Sequence, residues 1–413
     1  MSEYNNELIE FPKDWEVKRL SELAKIIMGQ SPPSSAYNDK GLGLPFIQGS
    51  KDFGDIYPSI KTFTTICKKI APKDSILFSV RAPVGDINIS DREICIGRGI
   101  AAIVPYNKTD LLYLYYYLTY SAFKIKRYSS GTTFESIKER DLENFQITLP
   151  PLDERKKIVK ILNTVDFIIT DTTNLIEKLK ILKEKTLNLL ITGKIWHKEF
   201  KDTEIGKIPK NWEIRRLKDV IIKAKSGGTP RRNVPEYWNG NIPFAKAQDI
   251  TKSDKYLYNT DEFITEKGLE NSNAWIVSKD SLLLTIYGSI GFVAINKIPV
   301  ATNQQIMGII PNKNLVDIEF LYYWYLYFKP YWSRFTRKDA IPHLILEIVL
   351  NSSIPFPPLE EQKKIVEILS TIDNKIQTET KYLDYMKKLK EKLLAALMTG
   401  KIRVNSIAIG DLR

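Results

Sequence analysis

The sequence predicts an α+β fold: two similar mixed α/β globular parts separated by two long antiparallel α-helices forming a coiled coil, in a pseudo-twofold tandem repeat. Three observations predict it. The chain of 413 residues repeats itself at an offset of about half its length. Each copy opens with short apolar runs broken by Gly and Pro. Each copy closes with a proline-free run of about 40 residues that carries heptad spacing.

The repeat is colinear. PKDWEVKRL at 12–20 returns as PKNWEIRRL at 209–217, an offset of 197. Leu44-Pro45-Phe46 returns as Ile242-Pro243-Phe244, offset 198. Lys73-Asp74-Ser75-Ile76-Leu77 returns as Lys279-Asp280-Ser281-Leu282-Leu283, offset 206. LPPLDERKKIVKIL at 149–162 returns as FPPLEEQKKIVEIL at 356–369, and Thr192-Gly193-Lys194-Ile195 as Thr399-Gly400-Lys401-Ile402, both at offset 207. Matched segments share a scaffold. Unmatched ones, such as 47–66 against 245–272, read as surface loops, which tolerate change and often carry recognition.

The predicted order is a first globular domain at 1–151, a first long helix at 152–194, a linker at 195–206, a second globular domain at 207–358, a second long helix at 359–400 and a tail at 401–413. In the globular parts, Ile76-Leu77-Phe78-Ser79-Val80, Gly99 to Val104 and Val293-Ala294-Ile295 are rich in β-branched residues and read as strands. The aromatic runs 111–123 and 320–328 are long for strands and read as buried helices. The recurring Trp15 and Trp212 read as structural.

Pro150-Pro151 and Pro357-Pro358 set the helix starts, because proline disfavours helix in the residue before it and is accepted at a first turn. Asp153-Glu154 and Glu360-Glu361 suit the helix dipole there, and Gly193 and Gly400 read as C-terminal caps. In the first run Ile161, Val165, Ile168, Thr172, Leu175, Leu179, Leu182, Thr186 and Leu189 step by four and three. In the second, Ile365, Leu369, Ile372, Ile376, Glu379, Leu383, Met386, Lys390, Leu393 and Leu397 do the same. This is a heptad stripe with polar interruptions. Each helix would be roughly 60 Å long at 1.5 Å per residue. A polar helix of that length needs a partner, and the duplication makes the other helix that partner.

Composition narrows the function. The net charge of +12 permits a polyanionic partner but forms no basic tail. Cys67 and Cys95 are the only cysteines, too few for a disulfide framework or cysteine-rich zinc module. His197 and His343 are the only histidines, too few for a multi-histidine metal site. No apolar run approaches a membrane span, and the acidic, Pro12-broken N-terminus does not read as a signal peptide, so a cytoplasmic location is expected. Gly193-Lys194 and Gly400-Lys401 are followed by isoleucine, which excludes a phosphate loop. Ser31-Pro32-Pro33-Ser34 and Phe356-Pro357-Pro358-Leu359 each miss part of an adenine-methyltransferase motif. No catalytic, cofactor-binding or metal residue is expected in this chain.

The tandem copies, the PPLxEQKKIVxIL opening and MTGKI close of the helices, GGTPRRNVPEYWNGNIPF at 227–244 with Lys246, Gln248 and Asp249, and Ala301 to Gln305 resemble the specificity (S) subunits of type I restriction–modification enzymes. The resemblance covers nearly the whole chain. In the first copy Met28-Gly29-Gln30-Ser31-Pro32 stands for GGTP and Ile96-Gly97-Arg98-Gly99 for TNQQ. The resemblance implies that each globular part is a target-recognition domain reading half of a bipartite site in double-stranded DNA. The paired helices would space the halves and dock two methyltransferase subunits, with restriction/translocase subunits joining the complex. It implies no catalysis and no cofactor in this chain, the partners using S-adenosylmethionine, ATP and magnesium.

Candidate DNA-binding residues are Thr229, Arg231, Arg232, Lys246, Gln248, Tyr287, Ser289, Asn303 and Gln304 in the second domain, and Gln30, Ser31, Lys51, Arg81 and Arg98 in the first. Arginine forks guanine or phosphate, and Asn or Gln pairs with adenine. The same residues also suit solvated loops, and Asn303 and Gln304 could instead bond nearby groups. Lys124, Lys126 and Arg127 are candidate phosphate contacts or a solvated helix face. The alternative from another class is a coiled-coil scaffold that binds proteins through two globular ends.

Overall fold

A computed structural model of the chain describes residues 11–129, 136–336 and 343–404, with the side chains of 123–129 left aside. The chain forms two compact units. The first runs up to Thr173 and resumes at Lys381; the second is Asn174–Thr380. Each unit therefore holds one globular part, the first half of the long helix that follows it and the second half of the other long helix.

In the first unit, an antiparallel sheet has the order Ala24–Met28, Ile100–Pro105, Ile76–Ser79, Ile87–Ile89. A second sheet is ordered Tyr37–Asn38, Phe63–Thr64, Leu44–Ile47, Ile94–Ile96, Ile70–Ala71, with Leu44–Ile47 parallel to Ile94–Ile96. The central strands carry Ile76, Leu77, Phe78, Ile100, Ala101, Ala102 and Ile103, all fully buried, which is why their sequences are continuously apolar rather than alternating. The aromatic run is a helix, Leu111–Ser129. Its Tyr113 and Tyr116 are buried and give their hydroxyls to Thr148 O and Asp166 Oδ2 at 2.6 and 2.8 Å, as buried tyrosines require.

The second unit repeats this plan. One sheet runs Ile221–Ser226, Ile306–Pro311, Leu282–Thr285, Val293–Asn296, Tyr256–Leu257, and the other Glu262–Ile264, Trp238–Ala245, Val300–Thr302, Ile276–Val277. The aromatic helix is Ile318–Phe328, N-capped by Asp317, with Phe320 to Tyr325 buried. The aromatic clusters are thus core in both units. Tyr323 bonds Asp373 at 2.6 Å, as Tyr116 bonds Asp166.

The long helices are Leu152–Ile191 and Leu359–Met398, and within each unit their halves run antiparallel. In the first unit Lys390 Nζ meets Asp166 Oδ1 at 2.5 Å; in the second Lys183 Nζ meets Asp373 Oδ1 at 2.6 Å. The two pairs are repeat equivalents, since both the aspartates and the lysines are 207 apart. A carboxylate at the start of each helix, buried at Glu154 and half-buried at Glu361, does more. Trp15 Nε1 donates to Glu154 at 3.2 Å and Arg403 to the same carboxylate at 2.8 and 2.9 Å. Trp212 Nε1 donates to Glu361 at 3.1 Å, and His197 Nε2 lies 2.6 Å from its other oxygen. Gly193 and Gly400 close the helices with φ of +71°, each with its Cα packed against the proline before the other copy's tryptophan: Pro209 for Gly193 and Pro12 for Gly400.

One expectation changes and two features are added to it. In the second helix Ile365, Leu369, Leu383, Met386 and Leu397 are buried and Ile372, Ile376, Glu379, Lys390 and Leu393 half-buried. In the first helix Val165 and Thr172 are buried and Ile161, Ile168, Leu179 and Thr186 half-buried, but Leu175, Leu182 and Leu189 are 36, 50 and 42% exposed. The buried line is instead Glu154, Ile158, Leu162, Val165, Thr172, Ile176, Leu187 and Leu190. It advances nearer to 3.6 than 3.5 residues per turn. A straight helix outruns a strict heptad by about 20° per repeat, so a line begun at Ile161 rotates off the contact face. Within and just beyond the predicted linker 195–206, Phe200–Thr203 pairs with Gly206–Pro209 as a hairpin, in which Gly206 has φ +103°. Finally, Cys67 and Cys95 form one disulfide; pairing of Ile70–Ala71 with Ile94–Ile96 brings them together.

The corrected contact line predicts unequal costs in one helix half. Ile176→Ala is expected to lose about 2–5 kcal/mol of unfolding free energy and Leu182→Ala less than about 1 kcal/mol, measured by denaturant titration. Equal losses would restore the heptad line.

Candidate nucleic-acid interface

In the first unit four segments converge through main-chain bonds. Gly29 N donates to Ile100 O and Gln30 N to Ile96 O, both at 2.9 Å. Gly97 N reaches Ile47 O at 2.8 Å, Gly99 N reaches Gln48 O at 3.2 Å, and Val80 N reaches Gly99 O at 2.9 Å. The approaches demand glycine: a Cβ on Gly29 would lie 2.2 Å from Gly97 O, and one on Gly99 2.4 Å from Gln48 O. Ser31 Oγ accepts from Arg98 N at 3.2 Å. Gln48, Gly49, Ser50, Arg81, Ala82, Arg98 and Gly99 line the resulting cleft of about 150 Å³. Arg81 and Arg98 are exposed, and neither makes an ion pair among the described residues.

The second unit builds the same frame. Gly227 N donates to Ile306 O at 3.1 Å, Gly228 N to Thr302 O at 3.0 Å, Asn303 N to Ala245 O at 3.2 Å and Ile286 N to Gln305 O at 2.8 Å. Tyr287 bridges to His343 as Arg81 bridges to Ser136. The main-chain bonds therefore equate Ser31 with Thr229, Gln48 with Lys246, Ser50 with Gln248, Arg81 with Tyr287 and Arg98 with Gln304. The side chains differ at all five.

Chemically the second cluster is more tied down. Thr229 Oγ1 donates to Gln304 Oε1 at 2.5 Å. Glu262 takes Lys246 Nζ at 2.5 Å and Arg232 at 2.8 Å, and Arg232 lies 3.8 Å over the Trp238 ring. Burial works to raise the Glu262 carboxyl, but the hydrogen bonds from Lys246 and Arg232 outweigh it and hold it below the ordinary carboxylate range. Tyr287 and His343 pack ring to ring at 5.9 Å.

The frame sorts the candidates. Ser31, Arg81, Arg98, Thr229, Lys246, Gln248, Tyr287 and Gln304 occupy it. Gln30 and Lys51 are exposed beside it, at positions equivalent to Gly228 and to Asp249, whose carboxylate accepts from Lys246 N at 2.7 Å. Arg231 and Ser289 are exposed on adjoining turns. Asn303 is corrected: it is 7% exposed, and its amide exchanges bonds with Gln305 Oε1 and N at 3.0 and 3.1 Å, so it shapes the turn and presents no reading edge. The side chains of Lys124, Lys126 and Arg127 lie outside the described residues. Gln48 and Ser50 were missed; carrying the 198 offset two and four residues past Phe46 would have found them. Among the described residues, no group of three His, Cys, Asp or Glu could hold a metal ion, and no helix is long and apolar enough to cross a membrane.

The family model described as "Type I restriction modification DNA specificity domain" matches residues 12–181 and again 209–387. A Methanocaldococcus jannaschii protein named, provisionally, as the MjaX type I restriction enzyme specificity subunit is 46% identical over 46% of this chain and 45% of its own length. The match thus spans about half of that relative. The type I restriction enzyme MjaVIII specificity subunit of the same organism is 29% identical over 96% of this chain and 95% of its own. Among solved structures, the S subunit of a type I restriction-modification system from M. genitalium shares the fold, with a TM-score of 0.61 at 19% identity over 96% of this chain and 98% of that one.

The frame predicts that its glycines are not interchangeable. Gly227→Ala, whose Cβ would stand 1.9 Å from Thr302 O, is expected to cost more than about 2 kcal/mol. Gly288→Ala, with φ +72° and open space, should cost about 1 kcal/mol. Thermal denaturation of the two variants checks the order, which reverses if the frame is wrong.

Proposed function

The chain belongs to the family of type I restriction–modification DNA specificity proteins, and on that premise we propose that it is the DNA-recognition subunit of such a complex, reading a bipartite site in double-stranded DNA with one half-site per unit. One observation carries this reading: the same main-chain frame is built twice and holds different side chains at all five equivalent positions. A frame of fixed hydrogen bonds positions readers, and the donors and acceptors mounted on it decide the bases. Two frames with unlike side chains suit two unlike half-sites.

The finer reading extends to partners. The helix pair sets the gap between half-sites, and the exposed Leu175, Leu182 and Leu189 form an apolar line at heptad spacing that suits a partner helix. Two methyltransferase subunits dock on such surfaces, and restriction/translocase subunits join through them. In this reading the chain performs no chemistry. S-adenosylmethionine, ATP and magnesium belong to the partners.

Selection from a random double-stranded DNA pool by the full-length chain with its methyltransferase partner tests the proposal. The expected winners share two dissimilar half-sites at one fixed gap, with affinity falling as salt rises. Recovery of no shared sequence would favour a protein-binding scaffold.

A further inference from the structure

Position 98 separates the two readers. Arg98 stands on a turn whose backbone is already committed: Arg98 N bonds Ser31 Oγ at 3.2 Å, and Gly97 N, Gly99 N and Ile100 N bond Ile47 O, Gln48 O and Gly97 O at 2.8, 3.2 and 3.0 Å. The turn is also packed tight, since a Cβ on Gly97 would sit 3.0 Å from Gln48 Cα. Such a turn fixes the Cα from which the guanidinium reaches before DNA arrives, so less backbone freedom is lost on binding. Arg81, held by Val80 N to Gly99 O at 2.9 Å, lines the same cleft. Neither arginine has a carboxylate partner among the described residues, unlike Lys246 and Arg232, which share Glu262.

Two uses of Arg98 compete: neutralising a phosphate, or forking a base edge. The duplicated frame decides between them. Every DNA duplex offers the same phosphate backbone, and amides and phenols can also bond it, but a charge-neutralising phosphate contact made at these positions would recur as a cation in both copies. The position equivalent to Arg98 carries Gln304, a neutral amide, and that equivalent to Arg81 carries Tyr287. Positions that change from guanidinium to amide or phenol between two copies of one frame behave as readers. Arginine matches guanine O6 and N7, and glutamine matches adenine N6 and N7.

We propose that the half-site read by the first unit contains a guanine, recognised in the major groove by the Arg98 fork. This rests on the DNA-recognition reading above and names a base within it. Lysine keeps the charge but loses the fork, so the Arg98→Lys substitution separates the two uses. The full-length chain with its methyltransferase partner is used for selection from a random duplex pool, wild type beside R98K and R98Q.

The wild type is expected to select a guanine in one half-site. R98K is expected to lower preference at that one position roughly 5- to 150-fold, with the other half-site and the gap unchanged, which also shows that the variant is folded. R98Q is expected to move the preference at that position toward adenine. Absence of guanine from both wild-type half-sites overturns the proposal. So does an R98Q variant that selects the wild-type bases while its salt dependence falls by about one phosphate contact. Should R98K select nothing, the wild-type and R98Q sites decide in the same way. A wild type that selects no bipartite site fails the underlying reading instead.

Discussion

Each unit depends on one multiply bonded carboxylate, buried at Glu154 and half-buried at Glu361. Glu154 and Glu361 open the two long helices, where the helix dipole favours negative charge. Each is bound by the indole N–H of its own globular part, Trp15 or Trp212, and by a cation-capable group that follows the other long helix, Arg403 or His197. A buried carboxylate without partners would be strongly destabilising. Its partners can assemble only when the globular part, the start of one helix and the end of the other meet. The glycine caps stacked on Pro12 and Pro209 mark the same meeting place. Antiparallel packing is thus specified by polar groups at the helix ends and by Asp166–Lys390 and Asp373–Lys183 further along, not by the apolar stripe alone.

From that junction the sheets carry rigidity outward to the readers. Continuous apolar strands hold the turns at 29–31, 48–50, 80–82 and 97–99, and four of the main-chain bonds across them, those of Gly29, Gln30, Val80 and Gly97 N, recur in the second unit. On this frame the copies differ in their side chains, and around it they also differ in loop length, as between 47–66 and 245–272. Stability and specificity therefore occupy different atoms, which lets one scaffold serve two readers. The first presents two guanidiniums, Arg81 and Arg98, with no carboxylate partner among the described residues. The second presents an amide, a phenol and a lysine restrained by Glu262.

Much of this was legible in the residues, and the misses have physical causes. The helix limits followed from Pro151, Pro358, Gly193 and Gly400 because proline and glycine act through local backbone geometry. The aromatic runs were legible as buried helices from their length. The first helix's contact line was misread because Leu175, Leu182 and Leu189 are apolar, whereas the contact face carries Lys183 and Glu154; a polar group that finds its partner across the helix pair leaves no hydrophobic signal. Asn303 looked like a reader because residue type does not reveal that Gln305 uses both ends of its amide. Gln48 lay in a segment where the copies diverge, and the paired bonds of the residue before it, Gly97 N to Ile47 O and Asn303 N to Ala245 O, align it with Lys246. The hairpin at 200–209 was hidden because its strands are short and polar, stabilised by bonds from Lys201 Nζ to Trp212 O and Lys210 O at 2.6 and 3.1 Å.

In the proposed function, the paired helices set the gap between two half-sites. Lengthening the first long helix by about one turn, four residues adding roughly 6 Å, beside Thr192 and mapping the methylated sites in the assembled complex tests it most directly. The expected result is the same two half-sites separated by a changed number of base pairs. The same half-sites at an unchanged gap would contradict it.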